Sequence, residues 1–209
     1  LDVRGEADLR FDRILGRNPF TAVITAPVEP PPPRGRRRAA AVSPVRARLT
    51  DLARSLRQRL LPGGRLVVVQ VVPRHGQRLH RLIDWAGEDA AVQAVVAAAE
   101  EAIHGDPDDP LVAWDEADLQ AAYAAAGFDE VRVRLERLGE QRPCTPAQLD
   151  RWFGSTPTEG PRRARYVDRL AAAGLDADAC GRIAARYRRQ LAGAEVSWET
   201  AVAHLVAIL

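Results

Sequence analysis

The chain has 209 residues, 46% of them hydrophobic, which is enough for one domain with a sizeable core, or one domain and an appendage. Its thirty basic residues are all Arg and stand against twenty-eight acids, so the net charge of +2 excludes a uniformly basic or acidic body. No apolar run reaches the roughly 20 residues of a membrane span, and no signal peptide opens the chain, so membrane and secreted classes are set aside and a cytoplasmic protein is expected.

Leu9 to Gly16 reads as a turn into a short strand, which Thr21 to Thr25 either extends or follows with another. Pro27 to Pro33 forbids helix and central strand, and the Arg34-Gly35-Arg36-Arg37-Arg38 cluster continues that loop. Ser43-Pro44 supplies an N-cap and a first helical position. Val45, Leu49, Leu52, Leu56 and Leu60 then recur at helical spacing, with Arg46, Arg48, Arg54, Arg57 and Arg59 on the opposite face. Pro62-Gly63-Gly64 ends this helix, and the apolar run Arg65 to Val72 reads as a buried parallel strand closed by Pro73.

Arg74 to Trp85 is a short helix or ordered loop, and Ala90 to Ile103 is an Ala-rich helix closed by Gly105. Asp115 caps the next helix, Asp118 sits in its first turn where the dipole favours an acid, and Gly127 ends it. Val131, Val133 and Leu135 alternate with Arg132, Arg134 and Glu136, a half-buried strand. Thr145-Pro146-Ala147-Gln148 is a capping box. Helices are expected over 146–153, 162–173, 177–192 and 198–208, so the chain reads as an α/β domain over 1–140 followed by a small all-helical appendage over 141–209.

Charge is unevenly spread. Arg34 to Arg59 holds nine Arg against Asp51, whereas Asp84 to Glu140 holds fifteen acids against three Arg. The Arg34, Arg36, Arg37 and Arg38 cluster and the Arg face of the following helix are candidates for phosphate contact in a sequence-independent, salt-sensitive mode. Arg162, Arg163, Arg165, Arg186, Arg188 and Arg189 add charge in the tail; aromatics are too sparse for base stacking. Of the four histidines, His75 and His80 follow the buried strand and are candidate general bases, while His104 and His204 carry no motif. Cys144 and Cys180 lack metal-ligand spacing and read as reduced thiols, and the four tryptophans as packing residues. No metal site is expected.

The order of helix, Pro-Gly-Gly turn, apolar strand, acidic helix, Ala126-Gly127-Phe128 and alternating strand resembles the C-terminal half of a class I S-adenosylmethionine-dependent methyltransferase, a partial Rossmann-like sheet. Gly5-Glu6-Ala7-Asp8-Leu9 resembles the acidic stretch that contacts adenine, Phe11 to Asn18 the fourth strand with its active-site end, and Leu61 to Val69 the fifth strand. The resemblance implies S-adenosylmethionine as cofactor, with Glu6, Asp8 and Asn18 on its side of the domain. Asn18-Pro19-Phe20 also resembles, with one Pro missing, the Asn-Pro-Pro-aromatic motif by which amino-group methyltransferases hold an amine. The family's first strand and glycine-rich cofactor loop would precede Leu1. Together with the absence of Met even at position 1, this points to the remainder of a longer parent chain as partner.

A narrower resemblance, carried by Arg17-Asn18-Pro19-Phe20 and Val72 to Leu79, is to the extra C-terminal domain of cyanobacterial replication-associated recombination ATPases of the AAA class. It implies a non-catalytic accessory domain that contacts nucleic acid or protein through its Arg-rich segments. Two expectations therefore stand: part of a methyl-transfer enzyme, or a module of a DNA-maintenance machine.

Overall fold

The computed structural model describes residues 9–25, 43–154 and 165–209. The protein is mixed α/β, and its chain divides into two compact units, neither of them continuous in sequence. The first takes residues 1–75, 107–137 and 201–209; the second takes 76–106 and 138–200. The segment 141–209 is thus shared between them.

The first unit begins with strand β1 (Phe11–Arg17). Asn18 breaks the strand by adopting φ 50°, and Pro19 opens helix α1 (Pro19–Thr25). Residues 21–25 are therefore helical where a strand was expected: proline fixes a helical φ at its first turn, and burial of Phe20 holds that turn against the core. Helix α2 (Pro44–Gln58) follows the expected register, with Val45, Leu49 and Ala53 buried, although the Ser43 side chain makes no capping bond.

Strand β2 (Leu60–Val71) runs parallel to β1. The Pro-Gly-Gly sequence lies inside this strand as an irregularity: Phe11 pairs with Leu60 but Arg13 with Arg65, so two residues of β1 span five of β2. Gly64 is demanded there, because a Cβ would stand 2.7 Å from the Leu61 carbonyl oxygen and 3.3 Å from that of Asp12. Helix α4 (Glu116–Ala125) carries the expected cap in full, with Asp115 and Asp118 each accepting from the other's end of the first turn. Gly127 continues from it at φ 88°.

Strand β3 (Glu130–Pro143) and strand β4 (Glu195–Ile208) complete a four-stranded sheet in the order β1-β2-β4-β3, with β4 antiparallel to β2. The helix expected over 198–208 is thus a strand. Its Ala and Leu content favours helix, yet Ala201, Ala203, Leu205 and Ala207 are all buried on one face, a period of two that pairing with β2 exploits. The core of this unit packs Phe20, α2 and α4 on that face, against Leu66, Val68, Ala203, Leu205 and Ala207. Each buried Leu or Val contributes roughly 1.5–3 kcal/mol.

The second unit is mainly helical. Helix α3 (Ala90–His104), α5 (Pro146–Phe153), α6 (Tyr166–Ala172) and α7 (Ala177–Leu191) surround Val96, Leu149, Leu170, Ile183 and Leu191. Single 3-10 turns at Leu79–Leu82 here, and at Pro73–His75 in the first unit, occupy the stretch expected to be a short helix or ordered loop. Trp152 and Trp198 stack at 6.5 Å, and the Arg142 guanidinium lies 3.4 Å over the Trp198 ring. Cys144 and Cys180 are buried and unpaired, and burial pushes both thiols up.

Candidate functional site

In open sheets with parallel strands, ligands bind outside the carboxyl ends of those strands. In the first unit that edge is where β1 and β2 both terminate. Asn18 closes β1: its backbone N–H donates to the Val69 carbonyl at 2.8 Å, and its Oδ1 accepts from the Val71 N–H at 2.8 Å. The donor on Val71 fixes which amide atom is oxygen. The Nδ2 group is left as a donor with no partner among the described residues.

Beside it, Gln70 is fully buried on β2. It accepts from the Phe20 N–H at 3.2 Å and donates to the Thr21 hydroxyl and the Val71 carbonyl, tying the start of α1 to the strand end. Beyond β2, the 3-10 turn places His75 Nε2 2.9 Å from Glu116 Oε2 in the first turn of α4. Arg74 donates to the Val112 carbonyl at 3.2 Å and lies 4.0 Å from Asp115. Beneath, Phe20 meets Trp114 and Tyr123 edge-on at 6.4 and 6.0 Å. Trp114 Nε1 and the Tyr123 hydroxyl are buried without partners among the described residues. Burial pushes the Tyr123 phenol up.

Chemically, this edge offers an amide donor and an imidazole held by a carboxylate, with the aromatic cluster sealed in the core. With Nε2 donating to Glu116, His75 Nδ1 is the basic nitrogen, the arrangement of an oriented general base. Asn18 Oδ1 already accepts one hydrogen bond, so only its second lone pair is open to an amine N–H.

The other sequence candidates are scattered. Glu6, Asp8, Arg34, Arg36, Arg37 and Arg38, along with the Pro27–Pro33 run, Arg162 and Arg163, lie outside the described residues. The Arg face of α2 is largely engaged: Arg46 pairs with the buried Asp118 at 2.5 Å, Arg54 with Asp51, and Arg57 donates to the Gly127 carbonyl at 2.9 Å. In the tail, Arg165 pairs with Asp168, Arg186 with Glu88, and Arg188 approaches Asp150.

His75 belongs to the first unit and His80 to the second. His80 stands in a network that sequence reasoning missed. Glu100, 2% exposed, accepts from the His80 N–H at 2.8 Å, faces His80 Nδ1 at 3.0 Å and accepts from the Tyr166 hydroxyl. Tyr166 in turn meets the Tyr187 hydroxyl at 3.3 Å, and Trp85 Nε1 donates to the His80 carbonyl. Burial, reinforced by Glu100, pushes both phenols up. His204 approaches Glu136 at 3.1 Å on the sheet. Among the described residues, no cluster of three or more His, Cys, Asp or Glu could hold a metal, and no helix is long and apolar enough to cross a membrane.

Glu6 and Asp8, which the resemblance places beside the cofactor, lie outside the described residues, and at the carboxyl edge Glu116 Oε2, Asp115 Oδ1 and Asn18 Oδ1 each already hold one partner within the protein. No protein family matches the chain, and no curated protein does either.

Proposed function

We propose that the chain forms the C-terminal half of a methyltransferase-like domain, whose cofactor-binding half lies in the remainder of a longer parent chain. The observation that carries this reading is the sheet. A parallel pair, β1 and β2, is continued by the last strand, β4, which enters antiparallel between β2 and β3. A parallel pair continued by an antiparallel strand supports a Rossmann-like sheet, although residues 198–208 were expected to be helical and to lie outside it. The outer edge of β1 has no neighbouring strand among the described residues, and Asn18 stands at its carboxyl end. An added parallel strand there creates the switch-point crevice in which such sheets bind ligands. In that setting Asn18 Nδ2 and His75 line the acceptor side, positioning a nucleophile rather than the methyl donor.

The test compares this chain with its full-length parent by hydrogen exchange and by S-adenosylhomocysteine titration. The outward-facing amides of β1 are expected to exchange freely in the 209-residue chain and to be protected in the parent, and only the parent is expected to bind the nucleoside. Free exchange of β1 in both proteins sinks the reading.

A second reading, an accessory domain of a DNA replication and recombination ATPase that works through Arg-rich surfaces, is favoured by one observation. Arg13, Arg17, Arg65 and Arg134 stand exposed on one sheet with no partner among the described residues. Loss of ATPase stimulation or DNA processing on deleting this domain from its parent, without loss of any methylation, would favour it.

A further inference from the structure

The sheet of the first unit has a covered face and an open one. Ile14, Leu66, Val68, Ala203, Leu205 and Ala207 point into the core beneath α1, α2 and α4. Side chains alternate along a strand, so the intervening residues share the opposite face. Register fixes their rows: Arg13 with Arg65 and Ile208, Leu15 with Val67 and Val206, Arg17 with Val69 and His204. Arg132, Arg134 and Glu136 of β3 continue them; Glu136 meets His204, and Arg65, Glu130, Arg132, Val206 and Ile208 line a cleft of about 230 Å³.

No helix among the described residues packs on this face. Along its apolar rows, Leu15 and Phe11 on the edge strand β1 are 79% and 37% exposed, Val69 on β2 is 37% exposed, and Val67, Val71, Val206 and Ile208 are only partly covered. A parallel pair left open on an apolar face is unusual, because such sheets are normally covered on both sides. The charge around those rows is one-sided. Arg132 pairs with Glu130, and Glu136 lies 3.1 Å from the His204 ring, so both carboxylates of the β3 margin already have a neighbour. Arg13, Arg17, Arg65 and Arg134 have no carboxylate partner among the described residues.

The geometry points to this face as the docking site of a partner polypeptide's amphipathic helix, one with an apolar stripe flanked by Asp or Glu. The stripe covers Leu15, Val67, Val69 and Val206, and its acidic flanks meet these four guanidiniums. Four strands spaced about 4.8 Å apart are crossed by a helix of about 12–14 residues at 1.5 Å per residue. Among the described residues of the first unit, Phe11 is the one aromatic on this face, too little for a stacking platform, so protein fits better than single-stranded nucleic acid. The inference holds whether or not the domain takes part in methyl transfer.

The test uses the 209-residue protein and two fluorescent helical peptides that share a Leu stripe at i, i+3, i+4 and i+7. One has Glu on its flanks and the other has Arg. Anisotropy is read at low and high salt, with Leu15→Asp and Arg65→Glu as variants. Leu15 already faces water, so Leu15→Asp should leave the urea midpoint unchanged and keep the binding test independent of folding. The acidic helix is expected to bind at least tenfold more tightly than the basic one, and to weaken at least tenfold at high salt and in each variant. Three results would overturn the inference: no binding of the acidic helix up to about millimolar concentration, equal binding of both helices, or binding unchanged in Leu15→Asp. Two more would reassign the face and so also overturn it. Poly(dT) binding lost in Arg65→Glu but kept in Leu15→Asp assigns it to nucleic acid, and a dimer abolished by Leu15→Asp assigns it to a second copy.

Discussion

Alkaline pH probes both cores of this protein with unusual selectivity. The chain contains no Lys, so between about pH 8 and 12 only its three tyrosines, two cysteines and α-amino group can titrate. All three tyrosines, Tyr123, Tyr166 and Tyr187, are buried, and burial raises each phenol above its ordinary value. The folded protein therefore keeps these protons while the unfolded chain releases them near pH 10, so the folded state binds more protons and stability falls as pH rises. The full contribution is present below about pH 10. Each phenol removes about 1.4 kcal/mol per pH unit above that value. The first unit carries one such group, Tyr123, and the second carries two, Tyr166 and Tyr187. At pH 11 the losses are about 1.4 and about 3 kcal/mol, against a typical domain stability of 5–15. Cys144 and Cys180, both in the second unit with thiols raised by burial, add to its loss from about pH 9 upward. The assay is absorbance at 295 nm against pH, with and without urea, alongside urea midpoints followed by tryptophan fluorescence. Native protein should show no phenolate until it unfolds, then all three at once or in two steps, the second unit's pair first. A single tyrosine titrating near pH 10 in the native state, with unchanged urea midpoints, would refute the burial argument for that residue.

Three further outcomes follow from individual contacts. Glu100→Ala strands the His80 N–H and the Tyr166 hydroxyl in the core and should cost about 3–5 kcal/mol by urea denaturation, whereas Glu100→Gln keeps two acceptor contacts and should cost about 1–2; equal losses would show that the network contributes little. Gly64→Ala forces a Cβ against the Leu61 and Asp12 carbonyls, displacing the β1–β2 irregularity at a cost of about 1–3 kcal/mol, read as faster hydrogen exchange across Phe11–Arg13. Asn18→Gly keeps the left-handed backbone but loses the Val71 bond, and should cost about 1 kcal/mol, less than Asn18→Ala, which loses both.

Much of the scaffold is legible in the sequence because local chemistry and tertiary structure agree. The α2 face, the Asp115–Asp118 cap, the left-handed Gly127 and the Thr145–Gln148 box all appear where residue type alone places them. The misses come where a long-range partner outweighs propensity. Residues 195–208 carry helix-favouring Ala and Leu, but β2 offers an open row of backbone groups from Arg65 to Val71, and the alternation from Ala201 to Ile208 fits it. Residues 21–25 read as a strand until Asn18 is seen to turn the chain and Gln70 to fasten Phe20. The candidate site follows the same division. Gln70 was readable as the one polar residue in an apolar run, whereas Glu100 sits unmarked in an Ala-rich helix, and only the fold brings it to His80 and Tyr166.

The two polar centres also differ in what they leave free. Glu100 has both oxygens occupied by partners from two separate segments, the turn at His80 and helix α6, so it fastens the second unit together. At the edge of β1 and β2 the balance is reversed. Asn18 spends its oxygen on Val71 and keeps its Nδ2 group free, and His75 spends one nitrogen on Glu116 and keeps the other. The unspent groups lie at the carboxyl end of a parallel pair whose outer edge is open, which is where a neighbouring strand and a ligand would meet them. On the proposed reading, substitutions at Asn18 or His75 should disturb binding in the parent protein more than they disturb folding.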